Sequence, residues 1–283
     1  PLEPGVPAQA RLTAEHFAAT PDLPPHYALT DLVLDARGDL KEGWSVEGDA
    51  VLATGPGLDV SLEGHATTRR ASIEKLILSD GEGRARSLAL HGGRVSWSEG
   101  LTASGTLDWH YFPWQRLVPD LPSVPVAVSD ADLDFALENG EYTGRLDAQL
   151  FTREGPVWLR APVDGDFDHA RLHGLSLASA LGRAAGNLGV GWSESLEWRT
   201  DLALENLLPG RRLPELDGVL EGRLRSSGRM TDDGPDGDGS LELAGSLRGQ
   251  ALWLKTRGRL QGSHWDVPEL ALRFGDNGLS GSA

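Results

Sequence analysis

The chain has 283 residues, 36 of them Gly and 17 Pro, with no Cys and a net charge of −16. That charge excludes a nucleic-acid partner, since such binding needs clustered Lys and Arg to displace counterions from phosphates, and the lack of Cys excludes disulfides and thiolate metal sites. The 39% of apolar residues argues against disorder, and Gly costs about 1 kcal/mol in a helix interior, so the composition favours β-structure with many turns.

Residues 1–26 are predicted to be an irregular segment without the charge and hydropathy pattern of a signal peptide. No later stretch has the ~20 apolar residues that a membrane-spanning helix requires. We therefore expect the sequence to be a piece of a longer protein, with its membrane anchor or export signal outside it.

Beyond residue 26, apolar and polar residues alternate with period two, and Gly, Asp or Asn breaks the pattern every eight to fourteen residues. This pattern is typical of strands joined by short turns. One side of each strand is apolar and the other polar, which favours an antiparallel sheet with one buried face. Asn139-Gly140 predicts a hairpin turn between two such strands, and residues 177–185, a weak helix candidate interrupted by Gly182, are predicted to be strand.

The apolar positions of these strands form the candidate binding surface. They could line an open groove or fill a closed sandwich core, and the alternation alone does not separate these two interpretations. The candidate groove residues are Val60, Leu62, Leu88, Leu90, Leu107, Trp109, Leu133, Phe135, Leu137, Leu146, Leu150, Leu196, Trp198, Leu202, Leu220, Leu224, Leu241 and Leu243.

Two stretches rich in Pro, bulky apolar residues and Arg interrupt the alternation at residues 110–123 and 206–217. Each follows a similar strand, and Asp108 and Asp201 in those strands are 93 positions apart. We interpret this as a long-period repeat of several strands plus one linking loop. The predicted organisation is an irregular segment followed by three groove segments, the last one truncated: 1–26, 27–123, 124–217 and 218–283.

The sequence gives little support for catalytic chemistry. Ser72 and Lys75 match a Ser-x-x-Lys pattern but lack the partner motifs of penicillin-binding enzymes. His169 and His173 could share one side of a strand as metal ligands, but solvated polar positions explain them better. Residues 232–239 resemble a calcium loop without its closing Glu, so we expect a hairpin loop there. We predict no enzyme activity, no cofactor and no metal.

Residues 184–230 carry a recognisable order of short motifs. They are Gly186-Asn187, then Asp201-Leu202, then Leu208-Pro209, then Leu216-Asp217-Gly218 leading into Leu220, Gly222 and Leu224. This order resembles the repeat pattern of the TamB family of AsmA-like, bridge-like lipid transfer proteins. The segment beginning at Gly275 looks like the start of another copy.

The resemblance implies an all-β fold: an elongated, curled antiparallel sheet with an apolar concave face, called a β-taco or repeating β-groove. It also implies a periplasmic location in a diderm bacterium, anchored to the inner membrane by a helix not present in this sequence. The expected partners are phospholipid acyl chains and a TamA-like outer-membrane barrel protein, the latter contacted through an absent region.

The function implied is transport of phospholipid between the inner and outer membranes, which supports outer-membrane biogenesis. An alternative is a scaffold or chaperone for inserting outer-membrane proteins such as autotransporters. A right-handed β-helix, as in an adhesin or polysaccharide enzyme, ranks third, because such folds use Asn ladders and this chain has four Asn.

Overall fold

A computed structural model of the chain describes residues 5–18, 25–54, 57–81, 86–98, 100–117, 127–193 and 195–282. In these ranges the regular structure consists of β-strands and short 3-10 turns, and no helix there is long and apolar enough to cross a bilayer. The chain forms two compact units, Pro1–Thr152 and Arg153–Ala283, called here the N-terminal unit and the C-terminal unit.

The N-terminal unit contains nine strands, each antiparallel to the next in chain order. The strands are β1 (Ala8–Phe17), β2 (Leu29–Asp39), β3 (Gly43–Leu52), β4 (Leu58–Ala66), β5 (Arg70–Ser79), β6 (Ser87–Ser96), β7 (Thr102–His110), β8 (Ala127–Glu138) and β9 (Glu141–Thr152).

The C-terminal unit repeats this arrangement with nine further strands, again antiparallel and in chain order. The strands are β10 (Gly155–Gly165), β11 (His169–Ser179), β12 (Gly182–Gly191), β13 (Glu197–Leu207), β14 (Gly218–Thr231), β15 (Gly234–Leu247), β16 (Gln250–Gln261), β17 (His264–Phe274) and β18 (Asn277–Gly281).

The predicted fold class is confirmed. The described residues are almost entirely strand and turn, the sheets are antiparallel, and in neither unit does a described pairing join the first strand to the last. Both sheets therefore remain open rather than closing into barrels. The boundaries of the three predicted groove segments remain predictions.

The predicted hairpin at Asn139-Gly140 is confirmed. It joins β8 to β9, and both residues have positive φ, 52° for Asn139 and 93° for Gly140. Asn and Gly tolerate this conformation best, because other side chains clash with the backbone there.

Three local predictions were correct only in part. Residues 1–26 are not wholly irregular, because β1 lies within them and pairs with β2. Residues 177–185 are not one strand: β11 ends at Ser179 and β12 begins at Gly182, so the segment contains a tight turn. The hairpin loop expected at 232–239 is only a two-residue turn, because β15 begins at Gly234, which pairs with Thr231 at the end of β14.

The second linking loop is close to its predicted bounds, and the first begins one residue after its predicted start. β7 ends at His110, and residues 111–117 form a loop with a 3-10 turn at Trp114–Arg116. The rest of the first predicted loop, residues 118–123, lies outside the described residues. The second loop spans residues 208–217 and contains two 3-10 turns, Pro209–Arg211 and Pro214–Leu216.

Candidate functional site

A single row of leucines crosses the N-terminal unit. Residues that lie directly opposite each other on neighbouring strands point to the same face of a sheet. Following these pairs from strand to strand gives eight leucines and one glycine, one residue per strand. The row is Leu12, Leu34, Gly48, Leu62, Leu76, Leu90, Leu107, Leu133 and Leu146.

The C-terminal unit has an equivalent row, formed by the same rule of direct cross-strand partners. It contains seven leucines, one alanine and one glycine. The row is Leu159, Leu177, Ala184, Leu204, Gly222, Leu243, Leu254, Leu272 and Leu279. We call each of these a leucine row.

Bulges keep these rows in register. On β5, for example, Glu74 has no direct partner on β4, because Glu63 lies opposite Lys75 and Gly64 opposite Ile73. The extra residue lets apolar side chains on both sides of the bulge face the same way. Without the extra residue, the apolar side chains in the rest of the strand would point to the polar face of the sheet.

All the sequence-predicted groove residues lie in strands except Leu196, which immediately precedes β13. The structure places those in strands on the leucine-row face of their units. Six belong to the leucine rows themselves, and the other strand residues occupy parallel rows on the same face. One parallel row in the N-terminal unit includes Val60, Leu88 and Trp109. One in the C-terminal unit includes Leu202, Leu224 and Leu241.

Most of these side chains are half-buried, neither sealed in a core nor open to water. Two candidates differ: Leu202 is 9% exposed and Leu220 is 7% exposed. In a closed sandwich, the central positions of an apolar row would be fully buried. Here the seven central positions of each leucine row are half-buried, except that Gly48 in the N-terminal row has the side chain of Leu34 over it.

Residues 111–117, called here the bridging loop, fold over one end of the apolar face in the N-terminal unit. Phe112 is 2% exposed and packs edge-on against Trp109, with ring centroids 5.3 Å apart. Thr54, which follows β3, donates through Oγ1 to the carbonyl oxygen of Arg116 at 2.6 Å. Tyr27 donates through its hydroxyl to the carbonyl oxygen of Leu117 at 2.5 Å. The loop therefore reaches from β7 back to the ends of β2 and β3.

The linking loop of the C-terminal unit also reaches back, but it buries less. Arg212 forms an ion pair with Glu154, which precedes β10, at 2.5 Å. Its apolar residues Leu213 and Leu216 are 49% and 36% exposed. The two loops are alike in sequence, but of the two only the bridging loop inserts an aromatic ring into the apolar face.

Charged side chains occupy the opposite face of each sheet. Asp201 on β13 accepts from Nε and Nη2 of Arg223 on β14, both at 2.6 Å, and from Arg225 at 3.3 Å. The hydrogen bond from Arg223 is the main reason that the pKa of Asp201 is lowered. Because the charges are paired on this face, it is solvated, and the apolar side chains are confined to the leucine-row face.

The polar face of the N-terminal unit also carries a cluster of acidic side chains. Asp108, Asp132 and Asp147 lie directly opposite one another on β7, β8 and β9. Partial burial raises the pKa of Asp132, and the hydrogen bond and charge of Asp108 raise it further. His91 approaches Asp108 at 3.1 Å, and His110 approaches Asp130 at 2.6 Å.

The C-terminal unit has a cavity of about 810 Å³ that the sequence did not signal. Most of its lining residues are polar and occupy positions between the apolar ones on β11 to β16. They include Arg171 and Arg199, which flank Gly189 across three strands. The sequence could not reveal this grouping, because it depends on the register of strands up to ninety residues apart.

The residues weighed for metal binding are engaged otherwise. His169 approaches Asp166 at 2.8 Å, and His173 approaches Asp164 at 2.6 Å. No group of three or more metal-ligating side chains occurs within the part of the chain that the structure describes. Ser72 and Lys75 both lie in β5, so Ser72 does not begin a helix, as the penicillin-binding arrangement requires.

Comparison with known protein families gives one match. The family model described as the N-terminal domain of TamB matches residues 124–282, which is more than half of the chain and contains β8 to β18. No curated protein and no solved structure matches the chain.

Proposed function

Because the chain belongs to the TamB family, we propose that its two leucine-row faces carry phospholipid acyl chains across the periplasm between the inner and outer membranes. The family is a non-enzymatic one of the cell envelope, linked to lipid and protein transport. The observation that supports a lipid cargo is the row of leucines that crosses nine strands in each unit, interrupted only by Gly48, Ala184 and Gly222 and half-buried at most of its positions.

The physical basis is the hydrophobic effect. A phospholipid that leaves a bilayer exposes roughly thirty methylenes, and at ~0.8 kcal/mol each this costs on the order of 20 kcal/mol. An apolar face that is already partly exposed to water offsets much of this cost, because both surfaces lose water when the chains lie down on it. Trp109 suits such a surface, since its ring is large and apolar.

Specificity for acyl chains rather than anionic surfaces follows from the charge. A net charge of −16 repels an anionic bilayer surface, so contact with lipid should depend on apolar side chains. The leucine rows contain no charged residue in either unit.

Photo-crosslinking tests the proposal. A crosslinking amino acid at Leu133 or Leu243, both in leucine rows and half-buried, should capture phospholipid in cells. The matched control is Thr143, which lies on β9 next to Tyr142 and points to the polar face. Lipid adducts at Leu133 and Leu243 but not at Thr143 are expected; adducts at none of the three would refute a lipid cargo.

A charge in the row provides a functional test. Leu133→Asp should block lipid transfer between donor and acceptor vesicles, because an unpaired charge interrupts the apolar path. Leu133 is preferable to Leu220 for this purpose, since Leu220 is 7% exposed and a charge there would also unfold the unit. Normal transfer by a folded Leu133→Asp variant would contradict the proposal.

The second candidate function is a scaffold for outer-membrane protein insertion. It is favoured by the link of the TamB family to protein as well as lipid transport. Exposed strand backbone can add a client strand by β-augmentation. Crosslinks from Leu279 to unfolded barrel proteins, with no lipid adduct at Leu133, would favour the scaffold over the lipid conduit.

A further inference from the structure

Three buried nitrogen donors in the N-terminal unit have no acceptor among the described residues. They are the indole Nε1 of Trp109, the indole Nε1 of Trp114 and the Nη1 of Arg116. By contrast, the indole of Trp97 donates to the carbonyl oxygen of Thr68 at 2.9 Å. Buried donors normally have a partner, so a local group of three without one indicates a missing acceptor.

All three donors belong to one structural feature. Trp114 and Arg116 lie in the 3-10 turn of the bridging loop, and Trp109 contacts Phe112 of the same loop. Trp109 also lies on the apolar face, directly opposite Leu88 and Ala131. The group therefore sits where the bridging loop meets the surface on which acyl chains would lie.

Four backbone carbonyls of the loop already accept hydrogen bonds. The carbonyl oxygen of Phe112 accepts from the amide of Trp114, and that of Pro113 from the amide of Arg116. The carbonyl oxygens of Arg116 and Leu117 accept from Thr54 and Tyr27. None of these oxygens accepts from the three side-chain donors.

The chemistry of the donors defines what would fit. Two neutral N–H groups and one guanidinium offer donors only, so the ligand must supply acceptors, and the fixed positive charge favours an anion. Three donors on separate side chains suit a phosphate, which presents several oxygens in different directions, whereas a carboxylate presents two. Arg is well matched to phosphate for the same reason.

We propose that the bridging loop binds the phosphate of a phospholipid whose acyl chains lie on the leucine-row face of the N-terminal unit. The proposal rests on the lipid function proposed above and adds a headgroup site to it. The apolar face holds the chains without regard to the headgroup, and the bridging loop selects lipids that carry a phosphate.

Binding titrations with the whole 283-residue chain test the site. The probes are a short-chain phosphatidylglycerol, a diacylglycerol with the same chains and no phosphate, and inorganic phosphate. We expect Arg116→Met to weaken phosphatidylglycerol binding about tenfold or more, and Trp114→Phe about threefold or more, because each removes a donor to a charged group. Neither variant should change diacylglycerol binding.

The matched control is Trp97→Phe, which removes an indole N–H that already has a partner and should leave phosphatidylglycerol binding unchanged. Thermal unfolding with and without phosphatidylglycerol supplies a second readout. Trp114→Phe removes a donor to the bound phosphate, so the lipid should raise its melting temperature less than it raises that of the unchanged chain. An equal rise in the two chains would overturn the proposal.

The remaining outcomes separate this site from the general lipid function. If diacylglycerol bound as tightly as phosphatidylglycerol, the headgroup site would be overturned and the general lipid function would stand. Failure of both lipids to bind would overturn the lipid function itself. Inorganic phosphate binding as tightly as phosphatidylglycerol, with the same losses in the variants, would assign the site to free phosphate and overturn the phospholipid part of the proposal.

Discussion

The indole N–H of Trp192 donates a 2.7 Å hydrogen bond to the carbonyl oxygen of Phe167, in the turn between β10 and β11. Ninety-five positions earlier, Trp97 makes the same contact with Thr68, in the turn between β4 and β5. Trp97 follows β6 and Trp192 follows β12. The backbone amide of each Trp donates to the carbonyl oxygen of the next residue in its turn, Arg69 or Asp168. The two units thus fasten one hairpin turn in the same way.

Trp192→Phe should destabilise the C-terminal unit by about 1 kcal/mol, because it removes the hydrogen bond and keeps most of the ring. Urea denaturation followed by circular dichroism measures the loss. Trp158→Phe is the matched control, since Trp158 is 49% exposed on β10 and is expected to change stability little. Equal losses in the two variants would contradict a specific role for the Trp192 bond.

Stability measurements can also test whether the leucine rows are open. Leu58, the first residue of β4, is 0% exposed, so Leu58→Ala should cost about 3 kcal/mol through lost burial and a residual cavity. Leu133 is half-buried, and Leu133→Ala should cost only about 1 kcal/mol, since water already reaches part of it. Similar losses at both positions would mean that the leucine row is a sealed core in solution.

The strands could be predicted because their cause is local. Period-two alternation and Asn139-Gly140 act within a few residues, and they gave the fold class and the β8–β9 hairpin correctly. β1 was missed because residues 1–26 mix Pro with a short alternating stretch. The turn at residues 180–181 was missed because small residues on both sides hide it.

The site could be predicted only in part, because its arrangement depends on long-range register. The candidate apolar residues were identified by residue type and by their alternate positions along each strand. Their alignment into rows depends on bulges such as the one at Glu74. The bridging loop depends on the contact between Thr54 and Arg116, which are 62 residues apart. No local pattern near either residue signals that contact.

Gly222 tests how closely the strands of the C-terminal leucine row approach. A side chain there would collide with the backbone carbonyl of Glu242 on β15. Gly222→Ala should therefore destabilise the unit by about 2 kcal/mol or more, since the backbone itself must move. Gly278→Ala is the control, because its nearest contact, the carbonyl oxygen of Leu272, is at an ordinary 3.9 Å. A neutral Gly222→Ala in urea denaturation would refute this close approach.

The last prediction concerns Asp132, whose pKa is raised by burial and by Asp108. A raised pKa means that the folded chain holds this proton at a pH where the unfolded chain has released it. The contribution of this proton to the free energy of unfolding is therefore present below the unfolded pKa of about 3.9. It is lost as the pH rises through the folded pKa. At neutral pH the ionised Asp132 is repelled by Asp108 and Asp147.

Asp132→Asn removes this repulsion while keeping the shape of the side chain. Its melting temperature should exceed that of the unchanged chain at pH 7 and equal it at pH 3, where both forms are uncharged at this position. Asp233→Asn, in the exposed turn between β14 and β15, is the control and should show no such pH-dependent gain. If Asp132→Asn gave the same gain at pH 3 as at pH 7, the effect would come from packing, and the three aligned carboxylates would not repel one another in the folded chain.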